Sequence, residues 1–137
     1  MHNPIIITQI VDKKVDLVWL YYTQPKHVVK WNQASSDWHT VSATNDLKVG
    51  GRFNYRMEAK DGSFGFNFEG TYVDIVIHKA IHYILDYLRH VSITFEDIND
   101  QTKVQVKFEA EQENDRSLQE SGWQAILNSF KNYAESL

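Results

Sequence analysis

The sequence has no cysteine, few prolines and glycines, and no long apolar run. Without cysteine the chain cannot form disulfide bonds, iron–sulfur clusters, thiolate zinc sites or a cysteine nucleophile. No apolar run approaches the roughly 20 residues of a membrane-spanning helix, so no membrane span is predicted. The N-terminus also lacks the basic segment and the small-residue cleavage site of a secretory signal peptide. These absences predict a soluble protein located in the cytoplasm.

The chain also has no excess of basic residues. It carries 14 Lys and Arg against 18 Asp and Glu, which gives a net charge of −4. Proteins that bind nucleic acids usually carry a clustered basic face, whereas the basic residues here are spread along the chain, so a nucleic-acid partner is not predicted. Hydrophobic residues make up 42% of the chain, which suffices for one folded domain over residues 1–137.

A strand followed by two short helices is predicted at the N-terminal end. Residues 5–11 are mostly β-branched and apolar, which is typical of a strand. Residues 15–22 then place apolar side chains at the spacing of one helical face, and Asp12 is the predicted N-cap of this helix. Pro25 ends the helix, because proline restricts the residue before it, and begins a second helix that runs to Trp31.

The middle of the chain is predicted to be a meander of antiparallel strands. Apolar and polar residues alternate in successive runs, which gives each strand one apolar face. Turn signals such as Gly50-Gly51 and Asp61-Gly62 separate the runs. Helical spacing does not return until about residue 117.

The last segment is predicted to be a long amphipathic helix, with a capping box of Ser117 and Glu120 at its start. Its sequence separates a face that contacts the sheet from a face that contacts water. The first face comprises Trp123, Ile126, Leu127 and Phe130, and the second comprises Gln124, Asn128 and Lys131. The predicted fold class is therefore α+β: a curved antiparallel sheet of six or seven strands that grips the C-terminal helix, with two short helices after the first strand.

A series of short motifs occurs along the chain in the order Val18-Trp19, Pro25-Lys26-His27, Lys30-Trp31, Leu47-Lys48-Val49-Gly50-Gly51-Arg52-Phe53, Phe68-Glu69-Gly70-Thr71-Tyr72, Val91-Ser92-Ile93-Thr94-Phe95 and Gly122-Trp123. Together they resemble the AHSA-type branch of the START-like domains. These domains have the helix-grip fold of the SRPBCC superfamily, and this branch is homologous to the activator of the heat-shock chaperone ATPase. Many relatives carry a second tryptophan at the position of Asn32. In the superfamily the space between the sheet and the last helix is commonly a ligand cavity, so the resemblance implies a cavity here.

Aromatic side chains on the predicted strands and on the last helix are the main candidates for a ligand site. Such rings either fill a core or line a cavity, and Tyr and Trp add polar groups that need partners when buried. Gly70 and Gly122 are expected to widen the space, because each removes a side chain from it. The predicted ligand-binding residues are Trp31, Asn32, Asp37, His39, Tyr55, Phe66, Phe68, Tyr72, Tyr83, Tyr87, Trp123, Leu127 and Phe130.

Asp37 and His39 are included because they stand two residues apart at the start of a predicted strand and so share one face. A carboxylate beside an imidazole can orient it for proton transfer or for metal binding. A hydrogen-bonded strand edge is the alternative interpretation. No metal site is predicted, because the histidines do not show the HExxH spacing of a zinc helix.

Three functions fit the sequence. The leading hypothesis is the binding of a small hydrophobic molecule between the curved sheet and the C-terminal helix. The second is a protein-interaction module with a filled core and a protein partner such as a chaperone, and the third is a cyclase- or hydrolase-like enzyme that uses the same cavity. The chain lacks a phosphate loop, a dinucleotide fingerprint and a Ser-His-Asp order, so no catalytic residue and no cofactor are assigned, and a non-enzymatic role is favoured. An internal cavity of ~300–1,000 Å³ would favour the first and third hypotheses over the second.

Overall fold

The computed structural model of the chain describes residues 1–137. Its elements follow in the order β1 (Ile5–Val11), α1 (Val15–Thr23), α2 (Pro25–Trp31), β2 (Trp38–Asn45), β3 (Arg52–Ala59), β4 (Gly65–Val76), β5 (Ala80–Leu85), β6 (Arg89–Ile98), β7 (Gln101–Phe108) and α3 (Arg116–Glu135). The seven strands form one antiparallel sheet in the order β1-β7-β6-β5-β4-β3-β2. The predicted α+β fold, with a long C-terminal helix and two short helices after the first strand, is confirmed.

The helices cover the inner, concave face of the curled sheet. α3 contacts the edge strand β1, α2 contacts the opposite edge strand β2, and α1 contacts β6 and β7 between them. The buried faces of the helices and the inner face of the sheet share one continuous core of 22 buried residues. The space between α3 and the middle of the sheet is therefore enclosed on both sides.

The two short helices form where the sequence predicts them, except at one cap. Trp19 anchors α1 to the sheet, since its ring contacts that of Phe95 with 5.2 Å between the ring centroids. α2 begins at Pro25, as predicted. The predicted N-cap Asp12 is wrong, because a turn after β1 delays the helix and Lys14 occupies the cap position.

The predicted capping box at Ser117 is also wrong. Asp115 is the N-cap residue of α3, so Ser117 lies inside the first turn and its hydroxyl is not at the cap position. Gln119 holds the preceding loop instead. Its side-chain oxygen accepts a hydrogen bond from the main-chain N–H of Glu111 (2.8 Å), and its side-chain nitrogen donates to the carbonyl oxygen of Asn114 (2.9 Å).

The sheet-facing side of α3 is confirmed. Leu127 and Phe130 are buried in the core, at 3% and 0% exposure. Trp123 and Ile126 are half-buried and pack against the same core. This apolar stripe at helical spacing is what fixes α3 to the sheet.

The opposite side of α3 does not simply face water. Asn128 is exposed as predicted, but Gln124 and Lys131 are half-buried along the free edge of β1. Gln124 donates a hydrogen bond to the carbonyl oxygen of Thr8 (3.2 Å), and the Lys131 ammonium donates to that of Ile10 (2.6 Å). These bonds occupy main-chain groups that an uncovered edge strand would offer to another chain.

The outer face of the sheet carries a pair of histidines in direct contact. Nε2 of His82 on β5 lies 2.8 Å from Nδ1 of His90 on β6. Partial burial, and secondly the neighbouring His90, lower the pKa of His82, whereas the carboxylate of Asp74 acts in the opposite direction.

We expect the lowered pKa of His82 to make folding stability depend on pH. The unfolded chain takes up a proton at the ordinary histidine pKa of about 6.5, whereas the folded chain resists protonation of His82. The unfolded state therefore binds more protons just below this value, so the free energy of unfolding falls as the pH falls. His82→Gln should reduce, without abolishing, this slope in urea melts, because burial also lowers the pKa of His27. His2→Gln at the exposed N-terminus is the matched control, and an equal slope in both variants would contradict the prediction.

Candidate functional site

A cavity of about 290 Å³ lies between the inner face of the sheet and α3. Its wall contains 22 residues, of which 16 are hydrophobic. The volume is close to the lower end of the ~300–1,000 Å³ that is usual for small-molecule sites. A second cleft, between residues 33–36 and α3, is more open and mostly polar, so the cavity between the sheet and α3 is the candidate site.

Most of the predicted site residues line this cavity: Trp31, Asn32, Tyr55, Phe66, Phe68, Tyr72, Tyr83, Trp123 and Leu127. The strand residues among them alternate with outward-facing residues, as a pleated strand requires. At the end of α2, the Trp31 indole donates a hydrogen bond to the carbonyl oxygen of Tyr21 (2.9 Å). The next residue, Asn32, is fixed by Thr40, whose hydroxyl donates to the Asn32 carbonyl oxygen (2.6 Å).

Asp37 and His39 do not line the cavity. Asp37 lies in the exposed turn before β2. His39 is on the outer face of β2, because its neighbour Thr40 is buried and points inward to Asn32. The expectation that these two residues contribute to the cavity is therefore wrong.

Tyr87 and Phe130 also lie away from the cavity. β5 ends at Leu85, so Tyr87 falls in the turn before β6, where its φ is 74° and its side chain is 97% exposed. Phe130 is fully buried behind the cavity wall, with its ring 5.0 Å from the rings of Tyr22 and Trp31. The prediction for Tyr87 fails because β5 ends before the alternating pattern of apolar residues does. The prediction for Phe130 fails because this side of α3 packs against the two short helices.

The two glycines do not have the predicted role of widening the cavity. A Cβ atom on Gly70 would lie 2.6 Å from the carbonyl oxygen of Ile84, so this glycine permits the close approach of β5. A Cβ atom on Gly122 would meet no atom within 4 Å, and Gly122 is not part of the cavity wall.

Aromatic rings join the sheet wall of the cavity to the helix wall. The Phe68 ring contacts that of Trp123 edge to face, with 5.8 Å between the centroids. Trp123 in turn stacks on Phe108 at 3.9 Å. On the sheet, Phe53 and Tyr83 meet at 4.7 Å. The cavity is thus bounded by rings that hold one another in place.

One end of the cavity is polar, where β6 begins and the loop before α3 crosses. Arg89, Glu111, Asn114 and Gln119 line this end. Glu111 accepts a hydrogen bond from the main-chain N–H of Asn114 (2.8 Å). Together with the bonds of Gln119 described above, this contact fixes the loop over the cavity end. Arg89 donates one hydrogen bond, to the carbonyl oxygen of Glu109 (3.3 Å).

A family model described as "Activator of Hsp90 ATPase homolog 1-like protein" matches residues 12–135 of the chain. The chain belongs to this AHSA1 family. The match confirms the AHSA-type START-like domain that the sequence motifs indicated. No curated protein matches the chain.

Solved structures of similar proteins have the same fold as this AHSA1 chain. Chr148 from Cytophaga hutchinsonii is 45% identical, with a TM-score of 0.85 over 98% of this chain and 93% of that one. The AHSA1-like protein from Aeromonas hydrophila is 38% identical, with a TM-score of 0.88 over 96% of this chain and 92% of that one. NE0264 from Nitrosomonas europaea, at 18% identity and a TM-score of 0.82 over 97% and 94% of the two chains, shows the fold alone.

The Tyr55 hydroxyl is hydrogen-bonded to that of Tyr72, and two other tyrosine hydroxyls in the AHSA1 cavity, those of Tyr22 and Tyr83, take part in no hydrogen bond within the chain. The Tyr72 hydroxyl, by contrast, donates to the side-chain oxygen of Asn45 (2.6 Å). Burial raises the pKa of all four phenols, so each hydroxyl keeps its proton at neutral pH. Because buried hydroxyls are normally hydrogen-bonded, those of Tyr22 and Tyr83 are available to a bound molecule.

The polar end of the AHSA1 cavity was not foreseen from the sequence, although one of its residues carried a signal. Arg89 stands two residues before the inward-facing Val91 and four before Ile93, so strand alternation places it on the inner face. Glu111 and Asn114 carried no such signal, because they belong to an irregular loop whose path depends on the bonds of Gln119.

The structure contains no group of three or more His, Cys, Asp or Glu side chains that could hold a metal ion. None of its helices is both long enough and apolar enough to cross a membrane.

Proposed function

We propose that the chain binds a small, largely apolar molecule in the cavity between the sheet and α3. The observation that carries this proposal is the internal space of about 290 Å³, walled mainly by hydrophobic residues and lined by the tyrosine hydroxyls of Tyr22 and Tyr83. Burial of apolar surface supplies the binding free energy, and a few hydroxyls orient the ligand.

The size of the cavity sets the expected affinity. Burying ~200 Å² of a ligand at ~25 cal/mol per Å² provides about 5 kcal/mol before the cost of association is subtracted. A generic apolar probe should therefore bind with a Kd no tighter than about 0.2 mM.

The internal cavity does not support the alternative of an interaction module with a filled core. A protein partner is still the second candidate, because the family description names an activator of the Hsp90 ATPase. An exposed aromatic group favours it: Trp38 contacts Phe64 and Phe66 at 6.1 and 5.9 Å, and these two rings are 64% and 39% exposed. The enzyme alternative would use Asp37, His39 or a cavity tyrosine, and it has less support because the first two residues lie outside the cavity, which leaves only the tyrosines among them.

The test of ligand binding is a fluorescence titration with N-phenyl-1-naphthylamine, a neutral apolar dye. We expect saturable binding of one dye per chain. Ile126→Trp, which adds bulk to the cavity wall, should weaken the binding at least about tenfold, because the added ring occupies the ligand's space. Leu118→Trp is the matched control, since position 118 lies on the same helix and is 62% exposed.

Either of two results would contradict the proposal. The first is the absence of saturable binding to the unmodified chain, which would favour the protein-partner candidate. The second is an equal loss of binding in the two tryptophan variants, with circular dichroism showing that both are folded, because the dye would then bind outside the cavity.

A further inference from the structure

Arg89 is the one residue in the wall of the cavity that has a positively charged side chain. It is the first residue of β6 and pairs across the sheet with Leu85, a buried residue of the inner face. Paired residues on neighbouring strands point to the same side, so the Arg89 side chain extends over the inner face toward the end of the cavity.

The hydrogen-bonding capacity of this side chain is mostly unused. A guanidinium group has five N–H donors, and the single bond of Arg89 runs from Nη1 to the Glu109 carbonyl oxygen at 3.3 Å. Arg89 takes part in none of the four salt bridges of the structure. The guanidinium therefore presents free donors where the apolar cavity ends.

The neighbouring carboxylates are engaged with other donors. Glu109 accepts a hydrogen bond from the main-chain N–H of His90 (2.6 Å), and Glu111 accepts one from the main-chain N–H of Asn114 (2.8 Å). Their negative charges reduce the attraction of Arg89 for an anion at a distance. Recognition at this point must therefore come from direct hydrogen bonds to the guanidinium.

We propose that Arg89 binds the carboxylate of an amphipathic acid whose apolar part lies among the aromatic rings of the cavity. This inference rests on the proposed ligand-binding function and assigns the ligand's chemical class. The planar guanidinium matches the two oxygens of a carboxylate, and the low polarity of the adjacent rings strengthens such a pair. A cavity of about 290 Å³ suits an aromatic or short-chain acid rather than a long lipid.

The test compares an acid with the alcohol of the same skeleton. 4-Phenylbutyrate and 4-phenylbutan-1-ol each displace N-phenyl-1-naphthylamine in a competition titration. We expect the unmodified chain to bind the acid about tenfold more tightly than the alcohol, which is the effect of one charge-assisted contact. Raising the ionic strength should reduce this preference, because the pair is partly exposed to solvent.

Variants of Arg89 distinguish a direct contact with the ligand's carboxylate from a mere change in the net charge of the protein. Arg89→Gln should bring the ratio of acid to alcohol affinity close to one, and Arg89→Lys should give an intermediate ratio, because it keeps the charge but loses the planar fork. Lys107→Gln removes the same charge from an exposed position on the outer face of β7 and should leave the ratio unchanged.

The outcomes distinguish the two proposals. If the dye does not bind at all, the proposed function has failed. If the dye binds, but acid and alcohol compete equally, or Arg89→Gln behaves like Lys107→Gln, then ligand binding stands and the assignment of an acid to Arg89 is overturned.

Discussion

Replacing Phe130 with alanine is expected to lower the free energy of unfolding by about 3–5 kcal/mol. The ring is fully buried and lies where α3 meets both short helices, against Tyr22 of α1 and Trp31 of α2. Its loss removes apolar surface from the core and leaves a void beside an existing cavity. The surrounding rings cannot close this void without giving up their own contacts.

Urea or guanidinium melts followed by circular dichroism would measure this effect. Phe64→Ala is the matched control, because it makes the same chemical change at a ring that is 64% exposed. The control should cost less than about 1 kcal/mol. A loss of that small size for Phe130→Ala would show that α3 does not depend on this ring for its attachment to the sheet.

The sequence predicts the faces of the elements better than their ends. The apolar stripe of α3 and the alternation on the strands arise from periods of the backbone itself, so they are visible without any tertiary information. Caps and turns depend on where the chain goes next. Asp12 is separated from α1 by a turn after β1, and Ser117 lies inside α3 because Asp115 already ends the preceding loop.

The cavity residues also show that the faces of strands and helices are predicted better than their ends. Tyr55 and Phe68 line the cavity because their strands continue through those positions. Tyr87 would face the same side as Tyr83 if β5 continued, but it lies beyond the end of that strand. Periodicity also cannot decide whether an inward-facing ring meets space or another ring. Phe130 belongs to the same stripe as the cavity residues, yet α1 and α2 close over it.

Gly70→Ala is expected to lower the free energy of unfolding by about 3 kcal/mol, at the upper end of the usual cost of overpacking. Gly70 lies on β4 between β3 and β5, paired with Phe53 on one side and Leu85 on the other. A Cβ atom there would lie 2.6 Å from the carbonyl oxygen of Ile84 and 3.2 Å from the Cα atom of Leu85. Both contacts are with main chain, so no side-chain rotation can relieve them and β5 would have to move.

The same substitution at Gly122 is the control, and its effect should have the opposite sign. A Cβ atom at Gly122 meets no atom within 4 Å, and alanine stabilises a helix interior by roughly 1 kcal/mol relative to glycine. Chemical denaturation of the two variants beside the unmodified chain measures both changes. If the two alanine variants were equally stable, the close approach of β5 to Gly70 would not be the reason for glycine at that position.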